Sequence, residues 1–444
     1  MCEENEVHMN ETTAAFVTRH ARRNFILNVT EGGLFMFGMS MVSRFTVLPY
    51  FVEQYSKESW VQGIIPTIAN VGWLLPGLIV APMIAHLWRR KPAMLIGTFF
   101  ERLPWLVVGL WLMAGNTFDS VTTLAIFFSL YGLHMFSAGA TSIPWQDFIG
   151  RVIPEQRWGT FFGFQSGVGS LLGVAGAAVA TKILASEPLV VLDRTLLQGY
   201  TFPFNIGVLS LGAFACLFVS YFFLMMTVEP AIEPQEKQPI WGLLKDMPRI
   251  LREDRVFTTY LVARTGISLG MLGQSFVTAA ALAKFQSTGS TVGAFTVTLL
   301  AAQAAGNFGL GAISDRFGHK FVLVLSGFLG LVSLALAVVA PSEIWYYPIF
   351  VFGGIALGGY QLSGFTMVMS FANTDTRPTY IATANTFYAP VSAVSPILAG
   401  WLAGEFGYDG LFIGLVIVGA LGVILMHTKV QLPEKSGAGV SIGH

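Results

Sequence analysis

Charge is scarce in this sequence. Asp, Glu, Lys and Arg supply 11% of its 444 residues, against about 25% in ordinary soluble domains, so lipid rather than water has to solvate most of the surface. Cysteine is nearly absent. Cys2 and Cys216 are the only two, one near the start and one inside an apolar segment, which excludes a disulfide framework and gives no support to redox or metal chemistry. The sequence has no G-x-x-x-x-G-K-[ST] loop, which argues against ATP as a direct energy source, and no H-E-x-x-H. No catalytic, cofactor-binding or metal-ligating set stands out. Residues 1–20 carry Glu3, Glu4, Glu6 and Glu11 and lack a basic start followed by an apolar stretch, so they do not read as a secretory signal.

What is abundant is apolar: 54% of residues are hydrophobic and 37 are phenylalanine. A hydrocarbon core of ~30 Å takes ~20 apolar residues to cross. Such stretches fall near 25–50, 61–87, 92–114, 120–143, 159–182 and 203–227, and again near 257–282, 291–313, 320–340, 345–371, 379–403 and 409–427. The expected fold is an all-α integral membrane protein with twelve transmembrane helices in two pseudo-symmetric six-helix bundles, 25–227 and 257–428. Residues 1–24 and 429–444 are expected as cytosolic tails. The polar stretch 228–256 is expected as a linker, where Trp241, Leu244, Ile250 and Leu251 interleave with Lys245, Arg249 and Arg252 as on a helix lying along the membrane surface.

Lys and Arg accumulate in cytosolic loops. Placing both termini in the cytosol puts Arg19, Arg22, Arg23, Arg89, Arg90, Lys91, Arg151, Arg157, Lys237, Lys245, Arg249, Arg252, Arg255, Arg316, Lys320, Arg377, Lys429 and Lys435 on that side. Only Lys57, Lys182, Arg194 and Lys284 fall outside, with Arg44, Arg102 and Arg264 within spans. The lack of further domains fits a bacterial inner membrane. A monomer in the bilayer, with no nucleic-acid partner, is the expected state.

The second half restarts the first at nearly constant offset, 232 residues from Phe25 to Phe257 and 229 from Lys91 to Lys320, as an internal repeat does. Between the eighth and ninth spans the sequence is Gly311-Ala-Ile-Ser-Asp315-Arg316-Phe-Gly318-His319-Lys320, which resembles the G-x-x-x-D-R-x-G-x-K loop of the major facilitator superfamily. The resemblance covers essentially the whole chain. It implies alternating access between two bundles and a cytoplasmic gate carried by Asp315, Arg316 and Lys320, framed by Gly311 and Gly318. Its first-half counterpart, Pro82-Met-Ile-Ala-His86-Leu-Trp-Arg89-Arg90-Lys91, lacks the Asp and the second Gly, so the gate is expected to rest mainly on the second-half loop. Asp147 and Arg157, and their later counterparts Asp375 and Arg377, place charges at cytosolic helix ends beside prolines, where pairs between the halves can make and break.

Ionisable groups inside spans are costly and mark function. The set is Glu31, Glu101, Arg102, His134, Arg264 and Arg44. Glu31 and Arg264 sit at similar heights on equivalent helices, which predicts an ion pair across the halves, with His134 nearby; it either breaks on substrate or proton binding or serves packing alone. Glu101 and Arg102 are adjacent, ~100° apart on their helix, so one is expected to face the cavity and the other a neighbouring helix. Asn28, Asn70, Gln274, Gln303, Asn307, Gln361, Asn385 and Tyr388 extend the candidate cavity. The resemblance favours Asn28, His134, Gln274 and Gln361, because spans 1, 4, 7 and 10 line the pathway in that superfamily. Gly163, Gly167, Gly169, Gly173 and Gly176 read as close helix packing.

The implied function is secondary transport of a small, weakly polar or amphipathic solute, with a proton as a plausible co-substrate. Span 5 lacks the proline-containing glycine motif of the superfamily's drug/proton antiporters, and span 4 lacks their arginine. Gly266-Ile-Ser268-Leu-Gly270 matches G-x-S-x-G, but that motif needs a strand-to-helix elbow and here lies in an apolar helix, so a Ser268–His134 hydrolase is disfavoured. A non-transporting sensor with the same fold and a lipid flippase are the remaining alternatives.

Overall fold

The computed structural model describes the chain except residues 1, 85–86, 116–117, 155–156, 187–188, 192–193, 198–200, 233–239, 372–376 and 432–444. The first half comprises α1 (Cys2–Met41), α2 (Val47–Tyr55), α3 (Ser59–Ile84), α4 (Lys91–Met113), α5 (Ser120–Val152), α6 (Trp158–Leu184) and α7 (Phe204–Met226). After α8 (Ile240–Glu253) the second half runs α9 (Arg255–Leu272), α10 (Val277–Phe285), α11 (Gly289–Phe317), α12 (His319–Val339), α13 (Tyr346–Met369) and α14 (Arg377–Lys429). Among the described residues, helical backbone makes up most of each of the twelve apolar stretches. Eight segments among the described residues are long and apolar enough to cross a membrane, the last of them, Thr383–Lys429, spanning two of those stretches. Gly407, at φ 71° and ψ 169°, turns the chain inside α14, a conformation other residues rarely adopt.

Four details go beyond the sequence reading. Within the expected tail, residues 2–24 already belong to α1, in keeping with the helix-forming Glu, Met and Ala residues there. The first span of each half is broken at equivalent places, between α1 and α2 and, through a 3₁₀ turn at Gly273–Ser275, between α9 and α10. At the first break the Ser43 hydroxyl accepts from Phe45 N at 3.4 Å, offering the backbone a local alternative to the helix. A hairpin joins α6 to α7: β1 (Leu189–Val191) pairs antiparallel with β2 (Arg194–Leu197), where Val190, Val191 and Thr195 favour extended backbone. Finally, α8 is docked: Ile250 and Leu251 pack on the second-half core, while Arg249 and Glu253 on its other face stay exposed.

The buried apolar side chains separate by half. One cluster is built around Phe257, Tyr260, Phe295, Phe350 and Phe412, and two lie wholly in the first half, around Phe51, Trp105 and Phe127 and around Phe148 and Phe161. The repeat shows in a shared contact. Lys91 Nζ donates to Met225 O at 2.5 Å and Thr227 O at 2.8 Å, and its counterpart Lys320 donates to His427 O at 2.9 Å. Each lysine caps the carbonyl end of the last helix of its half, where a cation also suits the helix dipole.

These contacts define one end of the molecule, shared by both termini. At the opposite end the halves are joined. Thr278 Oγ1 donates to Phe45 O at 2.6 Å, Thr296 Oγ1 to Thr46 Oγ1 at 2.5 Å, and Asn70 Nδ2 to Ser392 O at 3.0 Å nearer the middle. The Phe45 carbonyl, freed by the break after α1, thereby finds a donor across the interface, as backbone in an apolar interior must. Glycine permits the close approach: a Cβ on Gly400 would lie 2.8 Å from Ser59 O and from Trp60 Cα. Among the described residues the hydrogen bonds between the halves lie at this end and near the middle.

Candidate functional site

A cavity of about 420 Å³ lies between the halves. Its wall is mostly apolar, with Phe35, Met36, Trp73 and Trp145, and polar at a few points, with Gln165, Gln303, Asn307 and Gln361. Glu31 on α1 and Glu101 and Arg102 on α4 supply its only charges among the described residues. Arg102 is the hub. Its Nη2 lies 3.3 Å from Glu31 Oε1 and its Nη1 3.4 Å from Glu101 Oε2. Nε donates to Leu217 O at 2.7 Å, Nη1 to Thr98 O at 3.1 Å and Nη2 to Ser220 Oγ at 3.0 Å. Phe35 and Tyr221 flank the guanidinium, with ring centroids 5.8 and 5.7 Å from Cζ. The side chain is 3% exposed, so Arg102 pins α1, α4 and α7 together while two carboxylates share its one positive charge.

This geometry replaces the expected Glu31–Arg264 pair. Equal height on equivalent helices does not fix which way a side chain points, and Glu31 points to α4 within its own half. Arg264 instead lies among phenols: the hydroxyls of Tyr260 and Tyr360 lie beside its guanidinium, and the Tyr388 ring centroid is 6.0 Å from Cζ. Glu101 and Arg102 both reach the cavity wall, so the expected division between them does not hold.

Three other candidates pack helices. His134 is 2% exposed, bonds through Nδ1 to Glu101 O at 2.7 Å and stands edge-on to Trp105; a carbonyl partner requires the proton on Nδ1. Asn28 donates to Asn24 O at 2.8 Å and Thr227 Oγ1 at 3.1 Å, tying α1 to the end of α7. Gln274 is 2% exposed and bonds Gly330 O and Ser333. Gln361 does line the main cavity and takes a 3.4 Å bond from Gln303. Arg44 is exposed, stacks on Phe45 and lines a second cavity of about 190 Å³. Ser268 is hydrogen-bonded to Tyr388, not His134, and a Cβ on Gly266 or Gly270 would meet Gly422 or Gly419 of α14 at 2.9 and 3.1 Å. That glycine pattern is a helix-packing seam.

The sequence profile of the Major Facilitator Superfamily matches residues 256–441. By fold the chain is similar to the nucleoside transporter NupG, at TM-score 0.65 and 13% identity over 92% of this chain and 100% of that one. It is also similar to a D-xylose-proton symporter, at 0.64 and 15% over 92% and 98%. The second half of the chain carries the sequence signature of the major facilitator superfamily. With its long apolar helices, that signature marks a multi-pass membrane protein. A fucose:proton symporter from E. coli shares the fold at TM-score 0.59 and 13% identity, over 92% and 98%. The cis,cis-muconate transport protein of Acinetobacter baylyi is 28% identical over 142 residues, 32% of this chain and a third (33%) of that relative's length.

The loop after α11 keeps its turn through Gly318, whose φ of 82° ends one helix and starts the next. Arg316 is exposed and lies over the Phe317 ring at 5.4 Å. Gly311 lies on α11 near Leu362. Asp375 lies outside the described residues, as do the side chains of Asp315 and Arg377. Arg157 is exposed. The first-half loop, which lacks its own Asp, borrows carboxylates from elsewhere. Arg90 Nε meets Asp147 at 2.5 Å, and Arg151 meets the same oxygen at 3.1 Å. Glu229, which sequence reasoning passed over, accepts from Arg90 N at 2.7 Å and Lys91 N at 2.9 Å, a carboxylate on the positive end of α4. Its only sequence signal was an acid directly after an apolar helix. Asp147 therefore pairs within its half, not across the gate.

Proposed function

We propose that the protein carries a small amphipathic solute across a bilayer by alternating access, with Glu31 and Glu101 taking up a proton during the cycle. The observation that carries this reading is the pair of carboxylates sharing Arg102 in the wall of a cavity between the halves. With all three groups ionised the cluster holds one excess negative charge in a poorly solvated place, which is costly unless a proton or cation offsets it. The cavity's volume falls in the range of small-molecule sites, ~300–1,000 Å³, and its apolar wall with scattered amides suits a body with a few hydrogen-bonding groups. Relatives named for proton symport of xylose and fucose support the coupling. The names also span a neutral nucleoside and an organic anion, muconate, so they leave the solute's charge open.

In this reading the bundles 25–227 and 257–428 rock about the cavity as a monomer, with both termini on the basic, cytosolic side of a bacterial inner membrane. Asp315, Arg316 and Lys320, with Asp375 and Arg377, latch the terminal end when the other end opens. The test is proteoliposomes loaded with a pH dye and screened with neutral, anionic and cationic solutes. A transported solute should acidify the lumen, and Glu31→Gln with Glu101→Gln should abolish acidification while sparing counterflow. Unchanged proton flux in that double variant sinks the coupling; absence of counterflow for every solute sinks transport itself.

A further inference from the structure

The second cavity differs in charge from the first. Its wall holds Arg44, Asn70, Tyr360, Gln361 and Tyr388 and, among the described residues, no Asp or Glu. Arg264 stands one helical turn before Ser268, another wall residue, on α9. Its guanidinium lies against backbone where α13 has no side chain: a methyl group on Gly364 would come 3.7 Å from Nη2. Its Nε is buried with no hydrogen-bond partner. Among the described residues neither Arg44 nor Arg264 meets a carboxylate within 4.0 Å, whereas Arg102 meets two. Arginine stays protonated in proteins, so a neutral form offers no escape, and an intramembrane cation ordinarily has an anionic or carbonyl partner.

From this contrast we infer that the smaller cavity is the seat of a carboxylate: Arg44 and Arg264, with the hydroxyls of Tyr360 and Tyr388, bind the anionic group of an organic-acid substrate. The inference rests on the transport reading above and names its substrate class. Gln361 lines both cavities, so a substrate anchored by its carboxylate here extends its apolar body toward Phe35 and Trp73. A planar guanidinium suits a carboxylate because it presents two parallel N–H donors. The phenols beside Arg264 supply further donors and, as weakly polar rings, leave its charge available where a carboxylate of the protein would cancel it.

The experiment is ligand binding to the purified full chain in detergent at pH 7.5, using benzoate, phenylacetate, sorbate and adipate, each beside its neutral amide. At least one carboxylate should bind and its amide should not. Arg264→Gln and Arg44→Gln should each weaken that carboxylate tenfold or more, with Arg264→Lys intermediate. If Arg264→Gln fails to fold by size exclusion, Arg44→Gln decides, since that side chain is exposed and outside the packed core. The proposal is overturned if no carboxylate binds, if amides bind equally well, or if both arginine variants leave affinity unchanged. Counterflow separates the two readings: a neutral solute moved equally well by the arginine variants overturns this assignment alone, whereas no counterflow of any solute overturns transport.

Discussion

Replacing Arg102 by methionine tests whether the triad holds α1, α4 and α7 together. The substitution removes the hydrogen bonds to Leu217 O, Thr98 O and Ser220 Oγ and both carboxylate contacts. Interhelical hydrogen bonds inside membranes are worth about 0.6 kcal/mol each, so the two that reach α7, to Leu217 O and Ser220 Oγ, account for roughly 1 kcal/mol. Electrostatics costs more. Glu31 and Glu101, 8% exposed at their side chains, are left buried with no counter-charge, and stripping one partner from a buried pair costs about 3–5 kcal/mol. The two terms together come to about 4–6 kcal/mol, so if residues 25–227 melt as one unit, Arg102→Met lowers Tm by roughly 8–24 °C at about 2–4 °C per kcal/mol. Adding Glu31→Gln and Glu101→Gln removes the orphaned charges and should recover about half of that loss. The assay is thermal unfolding of purified protein followed by tryptophan fluorescence. A drop of 1 °C or less in Arg102→Met, or no recovery in the triple variant, refutes the idea that charge balance at Arg102 sets the stability of this half.

Three further outcomes follow from contacts elsewhere. Gly400→Val forces α3 and α14 apart, because the new Cβ would sit 2.8 Å from Trp60 Cα; spin labels at Lys57 and Glu405 in a Cys2→Ser, Cys216→Ser background should show a longer mean distance, and an unchanged distribution contradicts the role of this seam. Lys91→Met and Lys320→Met each lose a helix-end contact worth up to about 1 kcal/mol, so both should lower Tm by a similar few degrees; a large asymmetry between them argues against equivalent capping. Neither the parent protein nor Ser268→Ala should react with a fluorophosphonate, since the Ser268 hydroxyl is bonded to Tyr388 and His134 to a backbone carbonyl. Labelling that Ser268→Ala abolishes would reinstate a nucleophile.

The apolar helices and the repeat were legible because each is a one-dimensional signal: runs of apolar residues and a fixed offset. The lysine motif was legible for the same reason, and its two copies make the same helix-capping contact. What a linear reading lacks is azimuth. Glu31 and Arg264 share a height, but Glu31 faces Arg102 across its own bundle, and only packing sets that direction. The same blindness promoted Asn28, His134 and Gln274, polar residues on spans that the resemblance marked as pathway-lining, which turn their heads to backbone carbonyls and hydroxyls of neighbours. Gln361, on an equally apolar helix, does reach the cavities. Tyr360 beside it was missed because an aromatic in an apolar span has no distinguishing pattern. The breaks after Met41 and Leu272 carried a weak local signal, Ser43 in one and Gly273 in the other, which a hydropathy window averages away.

The charges of the two cavities together make a prediction about energetics. The main cavity holds one carboxylate in excess of its guanidinium, and the smaller one is lined by Arg44, with Arg264 one turn from its wall residue Ser268, and by no acid among the described residues. A monocarboxylate bound at Arg44 and Arg264 while one proton sits on Glu31 or Glu101 adds no net charge to the protein. Such a cycle moves anion and proton together and is electroneutral, so membrane voltage should not bias it. Each elementary charge moved through 100 mV is worth about 2.3 kcal/mol, which at 1.36 kcal/mol per tenfold would change an accumulation ratio roughly 50-fold. Proteoliposomes clamped by valinomycin and potassium gradients at −100 and +100 mV should therefore accumulate the same amount of a transported monocarboxylate at fixed pH gradient. A ratio that moves with voltage means that charge crosses uncompensated, and then either a second proton accompanies each anion or the carboxylate is not held where the two arginines stand.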